Sequence, residues 1–144
     1  MSKLKKICIA LIASGTMFGA LPALAEIVVI VSAKSAATAL TEEQASDVFL
    51  GKNNTLPGGV QAVPLDQTDG TALREQFYSK VSGKTSAQMK AYWSKQIFTG
   101  KGQPPKEGGD SAAVRTLVAA NPNIVGYIDK SVVDGSVKVV LTLK

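Results

Sequence analysis

Two hydrophobic periods take turns along this chain. The run Ile27–Val31 is continuous and β-branched, the pattern of a strand covered on both faces, as in parallel sheets. A loop of small residues follows. Thr41 and Gln44 frame a capping box. Ala45, Val48 and Phe49 then recur at helical spacing, and Gly51 stops that helix. After a polar Gly- and Asn-containing loop to residue 59, Val60–Leu65 predicts a second strand. From Asp69 to about Val81 a helical stripe carries Leu73, Phe77 and Val81, and Gly83 ends it. Thr85 and Gln88 form a second capping box, opening a helix through Ile97 whose inner face holds Met89, Tyr92, Trp93 and Ile97. Core packing is the expected role of those aromatics.

Residues 98–110 make a long Gly- and Pro-rich loop, of a length that often carries function. A helix is predicted from Asp110 or Ser111 to Ala120, a strand over Ile124–Ile128, a short helical turn ending at Gly135, and a last strand over Val137–Leu143. Alternating strands and helices predict an α/β fold, with a mixed sheet of about four or five strands flanked by helices. The final two strands, close in sequence, are expected to lie side by side.

The first 25 residues read differently. Lys3, Lys5 and Lys6 precede an apolar run from Ile7 to Leu21, and Ala23-Leu24-Ala25 forms a small-residue cleavage pattern. This predicts a secretory signal peptide, a periplasmic destination, one domain over residues 26–144 and no membrane span after cleavage. Sixteen Lys and Arg against eleven Asp and Glu set the chain at +5. Three of those lysines precede Glu26, so the remainder carries only +2. Nothing in it forms a basic stripe with interleaved aromatics, which argues against nucleic acid as a partner. Residues 26–144 contain neither Cys nor His. Thiol catalysis, Cys/His zinc sites and Ser-His-Asp triads are therefore excluded, and no cofactor is implied.

The candidate chemistry centres on Thr68-Asp69-Gly70-Thr71, a helix start directly after a strand. Unpaired N–H groups there suit an anion such as phosphate, and Gly70 lets one approach the main chain. The competing reading is a helix capped by its own Asp69. Ser32 follows the first strand and would reach the same sheet edge. Lys101, between two glycines, offers one cation, and Gly108–Ser111 opens the fourth helix. Asp66 and Asp69 are a carboxylate pair, yet turn chemistry accounts for both, and the protein is not expected to be an enzyme.

These pieces together resemble a family. "LTEEQASDVFLGK" is similar to the segment Leu-Thr-x-x-Gln-x-x-x-Ile-Phe-x-Gly-Lys of periplasmic phosphate-binding proteins of the PstS type. A Pro-Gly turn, the strand "VQAVPL", a glycine-threonine helix start, "FTGKGQ" and "NIVGYID" follow in the family's order. The resemblance implies one lobe of a two-lobed fold, serving phosphate or another oxyanion beside an ABC transporter. It also implies a ligand loop with an arginine and then Ser-Gly-Thr. Gly70 and Thr71 match the glycine and threonine, but Asp69 stands at the serine and Leu65 at the arginine. Arg74 would compensate only by folding back toward the loop. A single lobe leaves enclosure of a solute to an envelope protein or a second copy. The alternative implied is an adaptor that has lost its ligand.

Overall fold

The computed structural model describes residues 26–144; the expected signal peptide, residues 1–25, lies outside them. Four helices and seven strands alternate in this part of the chain. The main sheet has five strands in the order β5-β4-β6-β1-β7. These are β1 (Ile27–Ser32), β4 (Val63–Asp66), β5 (Lys106–Glu107), β6 (Ile124–Asp129) and β7 (Val137–Leu143). Two further short strands, β2 (Thr55–Leu56) and β3 (Val60–Gln61), form a separate hairpin.

Every residue of β1 is buried, as its apolar run predicts. The pleat sends Ile27, Val29 and Val31 into one core with Phe49, Phe77 and Tyr127. Val28 and Ile30 face a second core with Leu65, Val114 and Val118. The expected parallel setting of β1 does not hold, because it runs antiparallel to both β6 and β7. A β-branched run reports that both faces are covered, and it carries no information about direction. Nor are β6 and β7 neighbours, because β1, paired on both edges, lies between them.

The helices α1 (Glu42–Phe49), α2 (Ala72–Ser82) and α3 (Ser86–Phe98) contribute to the first core, and α4 (Ser111–Ala120) covers the other face. Both predicted capping boxes form: Thr41 with Gln44 and Thr85 with Gln88 exchange side-chain and backbone bonds of 2.9 to 3.2 Å. The aromatic centre is a parallel stack of Phe77 on Tyr127, with centroids 3.7 Å apart, and Phe49 edge-on to both. Ile97, expected inside, is 49% exposed at the end of α3.

The predicted strand at 60–65 divides into β3 and β4. The N–H of Ala62 turns to the carbonyl of Asn54, which closes the hairpin, and Pro64 has no N–H to donate to a ladder. Within the loop 98–110, residues Lys106–Glu107 add β5 to the sheet edge, parallel to β4.

Gly126 sets how closely α4 approaches. A Cβ there would stand 2.7 Å from Val114 and 3.1 Å from Val118. Gly126→Ala should therefore push α4 off the sheet and destabilise the fold by about 1–3 kcal/mol. The midpoint of urea unfolding measures this, and an unchanged midpoint contradicts the packing described.

Candidate functional site

β4 and β6 run parallel, so Asp66 and Asp129 end at the same edge of the sheet. Two helices begin there, α2 after β4 and α4 after β5. This edge outside the strand ends is where open α/β sheets place ligands.

The first side chain past the pleat is a carboxylate pointing inward. Leu65 faces the α4 core, so Asp66, its neighbour, faces α2 and is only 1% exposed. It accepts hydrogen bonds from the hydroxyl of Tyr78 at 2.7 Å, from the hydroxyl of Tyr127, and from the Gln67 N–H at 3.0 Å. Nη2 of Arg74 stands 3.6 Å away. Burial raises the carboxyl of Asp66 above its ordinary range, and the two hydroxyls, Arg74 and the Gln67 N–H pull it part of the way back. Burial also pushes both phenols up, with Asp66 adding to the effect, so the tyrosines remain neutral donors.

Gln67 ties the edge together. It is 3% exposed, and its Nε2 donates to the Ser111 Oγ at 3.0 Å and to the Tyr127 carbonyl at 2.9 Å. Ser111 Oγ accepts in addition from the Asp129 N–H at 3.1 Å. The ends of β4 and β6 and the start of α4 thus share one network.

The start of α2 differs from the reading in which Asp69 caps it. The N-cap is Thr71, and no side chain makes a capping bond there. Thr71 turns its hydroxyl back to the Thr68 carbonyl at 2.9 Å. Gly70 adopts a φ of +83°, a conformation suited to glycine, and this reversal moves the helix start past Asp69. The space where a Cβ of Gly70 would sit is open. The Asp69 N–H donates to Glu107 Oε1 at 3.3 Å, and the Thr68 N–H to the Gly109 carbonyl at 3.1 Å. The first-turn N–H groups of α2 are therefore left to an outside acceptor, not taken by Asp69.

Arg74 does not fold back as a free cation either. Its Nη1 donates to the Gln67 carbonyl at 2.9 Å and to Glu107 Oε1 at 3.0 Å, while its other nitrogen faces Asp66. Between α2 and α4 lies a cavity of about 480 Å³, bordered by Gln67, Leu73, Gln76, Asp110, Ser111 and Asp129. Gln76 Oε1 is buried there with no hydrogen-bond partner among the described residues.

Five of the seven residues expected at the site, Thr68, Asp69, Gly70, Thr71 and Arg74, come together at the start of α2. Ser32 does not. β1 runs against β4 and β6, so Ser32 ends at the opposite edge, where its hydroxyl donates to the Ala119 carbonyl at 3.3 Å. Lys101 lies in the turn after α3, its N–H on the Gln96 carbonyl. Among the described residues, no side-chain bond links it to the α2 start. Leu65, at the place of the family's arginine, packs in the α4 core. Gln67, Gln76, Tyr78, Glu107 and Tyr127 were not anticipated, while Ser111, expected as part of the α4 start, contributes its hydroxyl to the network. One signal was present: the pleat that buries Leu65 on one side puts Asp66 on the other buried side.

No family model matches the chain, and neither does any curated protein. Solved structures do. One is a protein assigned as a phosphate ABC transporter substrate-binding protein from Clostridium perfringens, with bound phosphate. It is 26% identical at a TM-score of 0.65, over 81% of this chain and 44% of that one. An ABC-type phosphate transport receptor from Vibrio cholerae is 19% identical at 0.63, over 81% and 45%. PstS from Borrelia burgdorferi is 13% identical at 0.55, over 74% and 41%. The chain is a single α/β lobe with the fold of these phosphate-transport proteins, and it spans less than half the length of each.

Removing the Asp66 carboxylate would leave two buried hydroxyls and Arg74 without their acceptor. Asp66→Ala should cost about 3 kcal/mol in urea unfolding. Because the folded carboxyl titrates above its unfolded value, the fold holds that proton longer than the unfolded chain. The stability of wild type relative to Asp66→Asn should therefore fall as pH rises from the ordinary carboxylate range through the raised value. A difference that grows with pH contradicts the assignment.

Proposed function

We propose that this protein is a periplasmic solute-binding lobe for phosphate or a related oxyanion, working beside an ABC transporter. The ligand sits on the N–H groups of the α2 first turn. The observation that carries this reading is the uncapped helix start behind Gly70, at the strand-end edge of a lobe like those of phosphate-transport proteins. Such a helix start supplies aligned donors and partial positive charge. The leader-like residues 1–25 support export.

The side chains around the turn narrow the ligand. Asp69, Glu107, Asp110 and Asp129 surround the edge, and the charge of Arg74 is already held by Asp66 and Glu107. Gln76 Oε1 offers a further unpaired acceptor. A ligand whose own protons meet Gln76 Oε1 and the carboxylates of Asp110 and Asp129 suits this edge better than one with none. Monobasic phosphate meets that requirement, and sulfate does not. One lobe covers one side of such a ligand, so a second copy or an envelope protein supplies the other.

The sequestered Arg74 favours a second reading, in which the lobe has become a ligand-free adaptor docking through the same edge. Calorimetric titration separates the two. The carrier reading predicts saturable heat with phosphate, stronger on the acid side of neutrality, and weaker binding of sulfate. Asp69→Ser removes a carboxylate beside the turn, a repulsion of about 1 kcal/mol at 4 Å in water, and should tighten phosphate roughly fivefold. Glu107→Gln, which removes one of the two negative charges paired with Arg74, should act in the same direction. No heat from phosphate in wild type or in either variant would leave the adaptor reading standing.

A further inference from the structure

The two flanks of α2 differ. Leu73 and Gln76 face the α4 side, while Arg74, Glu75 and Tyr78 line a second cavity of about 360 Å³ between α2 and α3. Its size falls in the range of small-molecule sites. The wall is apolar: Tyr78, Met89 and Trp93 are buried, and Ile97 and Pro104 complete it. The outer edge of the Trp93 ring lies over Gly51, where an added Cβ would stand 3.3 Å from Cη2, and Tyr92 holds the ring edge-on at 5.0 Å. The indole is thus fixed in place.

The charges at the mouth are unequal. Asp69 and Glu75 border the cavity, with Glu75 oriented by a 3.1 Å bond from the Ser86 hydroxyl. The lining therefore carries two carboxylates, Asp69 and Glu75, and two cations. Arg74 is already paired with Asp66 and Glu107, acids outside the cavity, so Lys90 is left as the one opposing charge.

We propose that this cavity binds a small aromatic amine. Its ring packs on Met89, Trp93 and Ile97, and its ammonium lies between Asp69 and Glu75. An indole beside two carboxylates suits such a cation through ring quadrupole and charge together. The proposal does not rest on the oxyanion reading, although Asp69 borders both the α2 first turn and this cavity.

Trp93 is the only tryptophan in the chain, so its emission reports directly on the cavity. The purified protein is titrated with phenethylamine, and with phenethyl alcohol and hydrocinnamate as neutral and anionic counterparts of similar size. A saturable change with the amine is expected, with affinity for the alcohol roughly tenfold lower and for the carboxylate lower still. Added salt should weaken the amine, and phosphate compared at matched ionic strength should not displace it. Glu75→Gln, at an exposed position, should reduce amine affinity several-fold with an unchanged Tm. Ser94→Phe, which fills the cavity, should abolish binding. Equal affinities for the three probes, no saturable response to the amine, or undiminished binding in Glu75→Gln would each overturn the proposal.

Discussion

A carboxylate in the core governs the arrangement of this lobe. Asp66 lies where the pleat of β4 points beneath α2, out of contact with solvent. Burying a charge there costs several kcal/mol unless partners surround it. The partners come from three separate elements: Tyr78 and Arg74 from α2, Tyr127 from β6, and the backbone of Gln67 from the strand's own continuation. Satisfying Asp66 therefore fixes the position of α2 over β4 and β6. The Phe77–Tyr127 stack packs beside the same hydroxyl and limits how α2 can turn.

Two functional consequences follow from that one knot. It holds the first turn of α2 at the strand-end edge, with Gly70 and Thr71 leaving the amides uncovered. It also draws Arg74 inward, toward Asp66 and Glu107, and so removes the local cation that an anion would seek. The edge is left with main-chain donors and side-chain acceptors, the combination on which the proposal of a charged, protonated ligand rests. On the other flank of α2, the α3 cavity is bordered by Asp69 and Glu75, with the charge of Arg74 paired to Asp66 and Glu107.

Much of the scaffold was legible from local chemistry. The capping boxes at Thr41 and Thr85 formed as read, since each needs only residues three positions apart. The burial of Ile27–Val31 was legible too, but not the strand's direction, and with direction went the location of Ser32. The α2 start was misread because Thr68, Asp69 and Thr71 are all competent caps. The choice among them was made by the reversal at Gly70, whose φ of +83° moves the helix start to Thr71. Arg74 was placed near the site, yet its charge could not be assigned without knowing that Asp66 faced it. The pleat next to Leu65 held that information. Tyr127, 61 residues away, supplied the partner that only folding reveals.

The most direct test of this account follows backbone amide and arginine side-chain resonances while phosphate is added. The account predicts that the amides of Gly70 through Leu73 move in a saturable way, while the guanidinium signals of Arg74 and the carboxyl carbon of Asp66 stay in place. Movement of Arg74 and Asp66 with phosphate, without movement of those amides, would show that the cation leaves its carboxylates to hold the ligand, and would contradict the account.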